Sequence, residues 1–101
     1  MSDQPTAVSI EPVWLVEATY APDGAETRTP FRAEHVRAAA ARIAEGTYVE
    51  VGAYADVSAS IILVRAASEE DALRIVGDDV YLRNGVWVEL RARPFGRIRS
   101  D

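Results

Sequence analysis

Two short segments of this 101-residue chain are apolar on both faces, and that property narrows the possible folds more than any other. Ile61-Ile62-Leu63-Val64 has no polar residue to turn toward water, and Val13-Trp14-Leu15-Val16 has none either. Successive side chains of a strand point to opposite faces, so such segments belong in the middle of a sheet with both faces covered. Their β-branched and aromatic content favours strands, the first over Val13 to Tyr20 and the third over Val57 to Arg65.

The remaining signals place helices between these strands. Pro22-Asp23-Gly24 reads as a turn that ends the first strand. Thr29-Pro30 then opens a helix, with threonine as N-cap and proline at the first helical position. That helix reaches about Glu45, with Phe31 at its start, Val36, Ala39, Ala40 and Ile43 as its inner stripe, and Gly46 as the stop. Thr47 to Val51 alternates as the second strand, ended by Gly52. Ser68 caps a second helix whose acidic first turn, Glu69-Glu70-Asp71, suits the helix dipole. Ala72, Leu73, Ile75 and Val76 form its inner stripe, and Gly77 closes it. Asn84-Gly85 makes a turn, and Val86 to Arg93 alternates as the fourth strand until Pro94. The order β-α-β-β-α-β predicts an α+β, ferredoxin-like subunit: a four-stranded antiparallel sheet with two helices on one face. Strands one and three lie in the centre, and strands two and four, carrying Glu50, Glu89, Arg91 and Arg93, form the edges. Residues 1–12 are expected to be a flexible tail, 13–98 a single domain, and 99–101 a short C-terminal tail.

Helices on one face leave the other side of the two central strands in water. Leaving about four large apolar side chains there sacrifices roughly 1.5–3 kcal/mol each. The C-terminal Pro94-Phe95-Gly96-Arg97-Ile98 offers only two bulky apolar residues to fold back over them. A second copy of the chain is the simpler cover. The expectation is a homodimer through the helix-free sheet face, two sheets closing an α+β barrel.

Composition removes several function classes. There is no cysteine, which excludes disulfides, thiolate metal sites and thiol nucleophiles. All 11 basic residues are arginine, so lysine Schiff-base chemistry is excluded. The abundance of Ala and Arg is compatible with GC-rich bacterial coding. A net charge of −5 argues against a nucleic-acid groove or an anionic membrane surface. No apolar run could span a bilayer, and Met1-Ser2-Asp3-Gln4-Pro5 lacks the features of a signal peptide, so a cytoplasmic location is expected.

One histidine, His35, can exchange a proton near neutral pH. It borders the inner stripe of the first helix, where a half-buried helix histidine is the plainer alternative. Asp78-Asp79 follows the second helix at the end where negative charge opposes the dipole, which reads either as a solvated turn or as a site. Tyr81 could present a phenol to the same region. Trp14, Tyr48, Tyr54 and Trp87 are expected to pack the core or an interface, or to line an apolar pocket. No G-x-S-x-G elbow, phosphate loop or metal-ligand spacing occurs.

Several of these residues also resemble a known family. Arg32-Ala33-Glu34-His35, then Glu45-Gly46 and Val51-Gly52, are similar to the YciI-like (YCII-related) family. Asp79-Val80-Tyr81 with Gly85-Val86 resembles its Asp-Pro-Tyr followed by Gly-Val, and Arg93-Pro94-Phe95 its closing basic-Pro-Phe. The resemblance covers residues 13 to 98 and implies a dimeric α+β barrel. It also implies a histidine–aspartate pair proposed as an acid–base dyad, which carried over by position is His35 and Asp79. Val80 stands where the family usually has proline, which frees the backbone after Asp79. Relatives with an assigned role eliminate HCl from chlorinated hydroxyquinol-type rings. Two functions therefore stand side by side. One is a cofactor-independent lyase or isomerase acting on a small aromatic or enol-like molecule, with His35 as base or acid, Asp79 orienting it and Tyr81 donating a hydrogen bond, and no metal or organic cofactor needed. The other is a non-catalytic ligand-binding or accessory module of the same fold.

Overall fold

The structure, a computed structural model, describes residues 8–100. The elements are β1 (Val8–Tyr20), α1 (Gly24–Thr27), a 3-10 turn (Thr29–Phe31), α2 (Arg32–Ala44), β2 (Tyr48–Ala53), β3 (Ala59–Val64), α3 (Glu69–Gly77), α4 (Val80–Arg83) and β4 (Trp87–Ser100). The four strands form one sheet in the order β2-β3-β1-β4, every neighbouring pair antiparallel. This is the expected α+β, ferredoxin-like arrangement, with the two doubly apolar strands in the centre. Among the described residues no helix is long and apolar enough to cross a membrane.

Register decides which residues share a face. Trp14, Val16 and Ala18 lie opposite Val64, Ile62 and Ser60 of β3. All of these except Trp14 are buried, and they pack with Tyr48, Ala39, Ala72 and Val76 into the core beneath the helices. The intervening residues face the other way, Leu15 opposite Leu63 and Glu17 opposite Ile61. They are half-buried, and the exposed Phe95 and Tyr54 share with Leu15, Ile61 and Leu63 a shallow groove of about 370 Å³.

Both ends of the sheet differ from expectation. Met1 to Ala7, the first part of the expected tail, lie outside the described residues. Val8 to Pro12 are strand, pairing with Gly96 to Ser100, so β4 runs through Pro94 and the expected C-terminal tail is strand as far as Ser100. Proline removes a ladder donor but is tolerated on an edge strand, and β4 is an edge. The consequence is a two-stranded ribbon reaching about six residues beyond β3, roughly 20 Å at the usual strand rise. It contributes to extents of 56 × 27 × 23 Å. Glu11 ties its base by accepting hydrogen bonds from Arg65 and Arg97.

Other differences concern the connections. The stretch after β1 coils into α1 and the 3-10 turn, so Thr29 lies inside helical backbone and caps nothing; α2 starts without a side-chain cap. Gly52 lies within β2 instead of ending it. On α2 only Ala39 is buried, whereas Val36 and Ile43 are 51% and 47% exposed. At about 100° per residue, His35 and Ala39 point inward while Val36, Ala40 and Ile43 turn toward a cleft between α2 and the β2–β3 hairpin. Gly46 does end the helix as expected, at φ +87°.

Candidate functional site

His35 projects from the first turn of α2. Asp79 follows α3 and begins α4, where its backbone is extended and its carboxylate accepts a hydrogen bond from the Tyr81 backbone N–H at 2.8 Å. The same carboxylate meets His35, and both of its oxygens lie 2.9 Å from Nδ1. The side chains are 13% and 5% exposed, so this contact is shielded from water. A carboxylate can only accept, which makes Nδ1 the donor and fixes the tautomer with the lone pair on Nε2. Val80 N–H exists where the family pattern has proline, yet Asp79 holds φ −69° and ψ 142°, close to the conformation a following proline favours. The capping bond from Tyr81 holds the carboxylate in place without the ring.

Aromatic rings fix the imidazole from behind. Tyr81 stacks on it with centroids 3.8 Å apart and planes 9° from parallel, and Trp87 meets it edge-on at 5.4 Å. Tyr20 closes the cluster against both rings. Tyr81 is wholly buried and its hydroxyl has no partner. Burial raises the pKa of this phenol, and the nearby Arg32 and Arg28 partly offset the rise without completing a hydrogen bond to it. Tyr81 thus stands behind the imidazole as a packing surface, and its phenol is not presented to the cleft. Tyr48 packs nearby, its phenol pushed up to about 12 by burial and by the charge of Asp79.

His35 also borders a cleft of about 530 Å³, within the range of small-molecule sites. Val36, Ala40 and Ile43 line one wall and Val51, Tyr54 and Val57 the other; Tyr20, Ser60, Arg28 and Arg32 also border it. Val57 holds φ +58°, a strained conformation for a β-branched residue, on the wall of this cleft. With Nδ1 tied to Asp79, Nε2 is the ring nitrogen left to act on a ligand. Among the described residues no three His, Asp or Glu side chains converge as a metal site.

Of the residues singled out in the sequence, His35, Asp79 and Tyr81 come together, while Asp78 stays exposed and lies 3.7 Å from Arg42. Asp79 is no idle charge at a helix end, because it caps the next helical turn. Arg28 was not singled out, and Arg32 only as part of the Arg32-Ala33-Glu34-His35 motif. Their signal was their spacing: positions 28, 32, 35 and 39 follow one face of backbone that is helical almost continuously from Gly24 to Ala44.

The family model of the YCII-related domain matches residues 13–96, and the chain belongs to that family. No curated protein matches the chain.

Proposed function

We propose, with membership of the YCII-related family as the premise, that this protein binds a small organic molecule in the cleft and moves a proton on it with His35 and Asp79. The observation that carries this reading is the shielded Nδ1–carboxylate contact at 2.9 Å on a histidine that borders the cleft. A carboxylate that fixes the tautomer and balances the imidazolium charge makes Nε2 an effective base. Nε2 takes a proton from an activated carbon, and the C–H electron pair moves into the adjoining π system. If a leaving group departs with its own pair, the outcome is elimination; if His35 returns the proton at another carbon, it is isomerisation. Either is lyase or isomerase chemistry that needs no further group. Asp79 and Tyr81 act through His35, as positioning residues.

The working unit in this reading is a homodimer. Leu15, Ile61 and Leu63 on the helix-free face support it, as do the ribbon residues Ile10 and Ile98, 67% and 73% exposed. An isolated two-stranded ribbon is marginal in water, and a partner surface over it removes that weakness.

The test is exchange of carbon-bound hydrogen for deuterium in small enolisable aromatic and keto compounds, followed by NMR. The wild-type protein is expected to accelerate exchange in at least one class, and His35→Gln to abolish the acceleration. Equal rates with wild type and variant across the panel would refute the reading.

A further inference from the structure

The cleft is apolar along most of its length but carries two cations beside the imidazole. Arg32 precedes His35 by one helical turn and Arg28 by two, and both residues border the cavity that His35 borders. Their partners decide what they are for. Of the 11 arginines, Arg42, Arg65, Arg74, Arg83, Arg91 and Arg97 lie within ion-pair distance of a carboxylate. Among the described residues the other five, Arg28, Arg32, Arg37, Arg93 and Arg99, do not, and of these Arg28 and Arg32 are the two that border the cleft; Glu34, close by in sequence, sits 3.7 Å from Arg83 instead. Arg32 also occupies the first turn of α2, where a cation opposes the helix dipole. The Arg32 charge at that helix start destabilises the free protein slightly, and two unpaired cations bordering one cavity favour an anion beside them.

The chemistry of that anion follows from the donors. A guanidinium is a planar fork that matches the two oxygens of a carboxylate, and Arg28 is half-buried, so water screens it less than a surface residue. The wall beyond, with Val36, Ala40, Ile43 and Val51, suits a carbon skeleton. We propose that the cleft takes a small organic carboxylate, its carboxylate held by Arg28 and Arg32 and its skeleton laid along the apolar wall beside His35. This inference rests on the proton-transfer reading of the same site. It adds that the arginines orient the substrate and stabilise the negative charge that spreads over it as the proton leaves.

The test uses the full chain at low salt, with benzoate and its uncharged counterpart benzamide as probes. Binding is read by NMR amide shifts and by calorimetry. Benzoate is expected to move signals in α2 and the β2–β3 hairpin, and to bind roughly tenfold or more tightly than benzamide, as one or two charge-assisted hydrogen bonds imply. Arg28→Gln and Arg32→Gln each weaken benzoate by about the same factor and leave benzamide unchanged, and Arg32→Lys restores part of the loss. Thermal melts confirm that the variants fold. Equal affinity for the two probes, unaltered benzoate binding in the arginine variants, inorganic phosphate competing as well as benzoate, or no shifts at millimolar benzoate would each overturn the assignment. Hydrogen exchange separates the two readings. Charge discrimination without exchange leaves the anion site standing and removes the proton-transfer chemistry, while exchange without discrimination removes the anion site alone.

Discussion

Replacing Asp79 with Asn separates the two tasks of its carboxylate. Asn is as good an N-cap as Asp, so the bond from Tyr81 N–H at 2.8 Å can survive on the amide oxygen. The other end of the amide then presents N–H donors to His35 Nδ1, which is itself a donor in the wild type. Left unresolved, two buried donors facing each other would cost about 1–3 kcal/mol. The imidazole escapes by moving its proton to Nε2, at the price of the charge-assisted bond to the carboxylate. The net destabilisation is therefore expected to be about 1–2 kcal/mol, several degrees of melting temperature for a chain of this size. Under the proposed proton transfer, activity is expected to suffer far more. A ring protonated at Nε2 has no lone pair to offer the cleft, and losing a positioned general base removes roughly 10²–10⁴ in rate. Imidazole ¹⁵N shifts distinguish the two tautomers directly, and urea unfolding gives the stability change. If Asp79→Asn keeps the Nδ1–H tautomer and wild-type stability, the carboxylate does not orient the ring and the proposed role of the pair fails.

Tyr81→Phe removes a buried hydroxyl without a partner, so it is expected to stabilise the fold by about 1 kcal/mol in urea unfolding and to leave the imidazole stack intact; a loss of stability would show that the hydroxyl is bonded. Glu11 is held at about 2, below its ordinary 4.5, chiefly by its hydrogen bond from Arg65 and also by Arg97. A lowered folded-state pKa means that its contribution is complete above about pH 4.5 and fades as pH falls toward 2, so unfolding curves of Glu11→Gln should be flatter than wild type across that window. Leu15→Asp places a charge on the helix-free face and is expected to sediment as a single protomer while wild type sediments as a dimer; a wild-type protomer at micromolar concentration would refute the homodimer.

Local signals made most of the topology legible. Ser68 accepts the Asp71 N–H at 3.1 Å, as an N-cap followed by an acidic turn implies, and Gly46 takes the positive φ that a helix stop requires. The doubly apolar strands fell in the sheet centre, where neighbouring strands flank them on both edges. What misled was proline: Pro94 marks the end of the fourth strand on local signals, Pro30 marks a helix start, and the segment through Pro12 reads as a tail. Pro12 and Pro94 sit in strands where no second neighbour needs their missing N–H, and Pro30 lies within a continuous helical path. The amphipathic pattern of α2 was misjudged for a different reason. Val36 and Ile43 do share a side, but that side looks into a cleft, and apolar periodicity is the same for a core and for a binding wall. The His35–Asp79 contact joins residues 44 apart and leaves no local trace, so it entered only through the family resemblance.

The contact that would do chemistry is also part of the fold, and this shapes what a mutation can show. Asp79 is buried and satisfied by His35 Nδ1 and Tyr81 N–H. Truncating His35 to Ala would leave a buried carboxylate with one donor and a space beside the Tyr81 ring, at roughly 1–3 kcal/mol or more. That is a sizeable share of the stability of a chain this small. An inactive His35→Ala protein could then be inactive because the contact between α2 and the α3–α4 junction has loosened. His35→Gln avoids the ambiguity. Its amide can donate to Asp79 and cover part of Tyr81, yet it has no basic nitrogen. A variant that melts within a few degrees of wild type and no longer exchanges carbon-bound hydrogen isolates the loss of the base. One that melts normally and still exchanges assigns the proton transfer to another group.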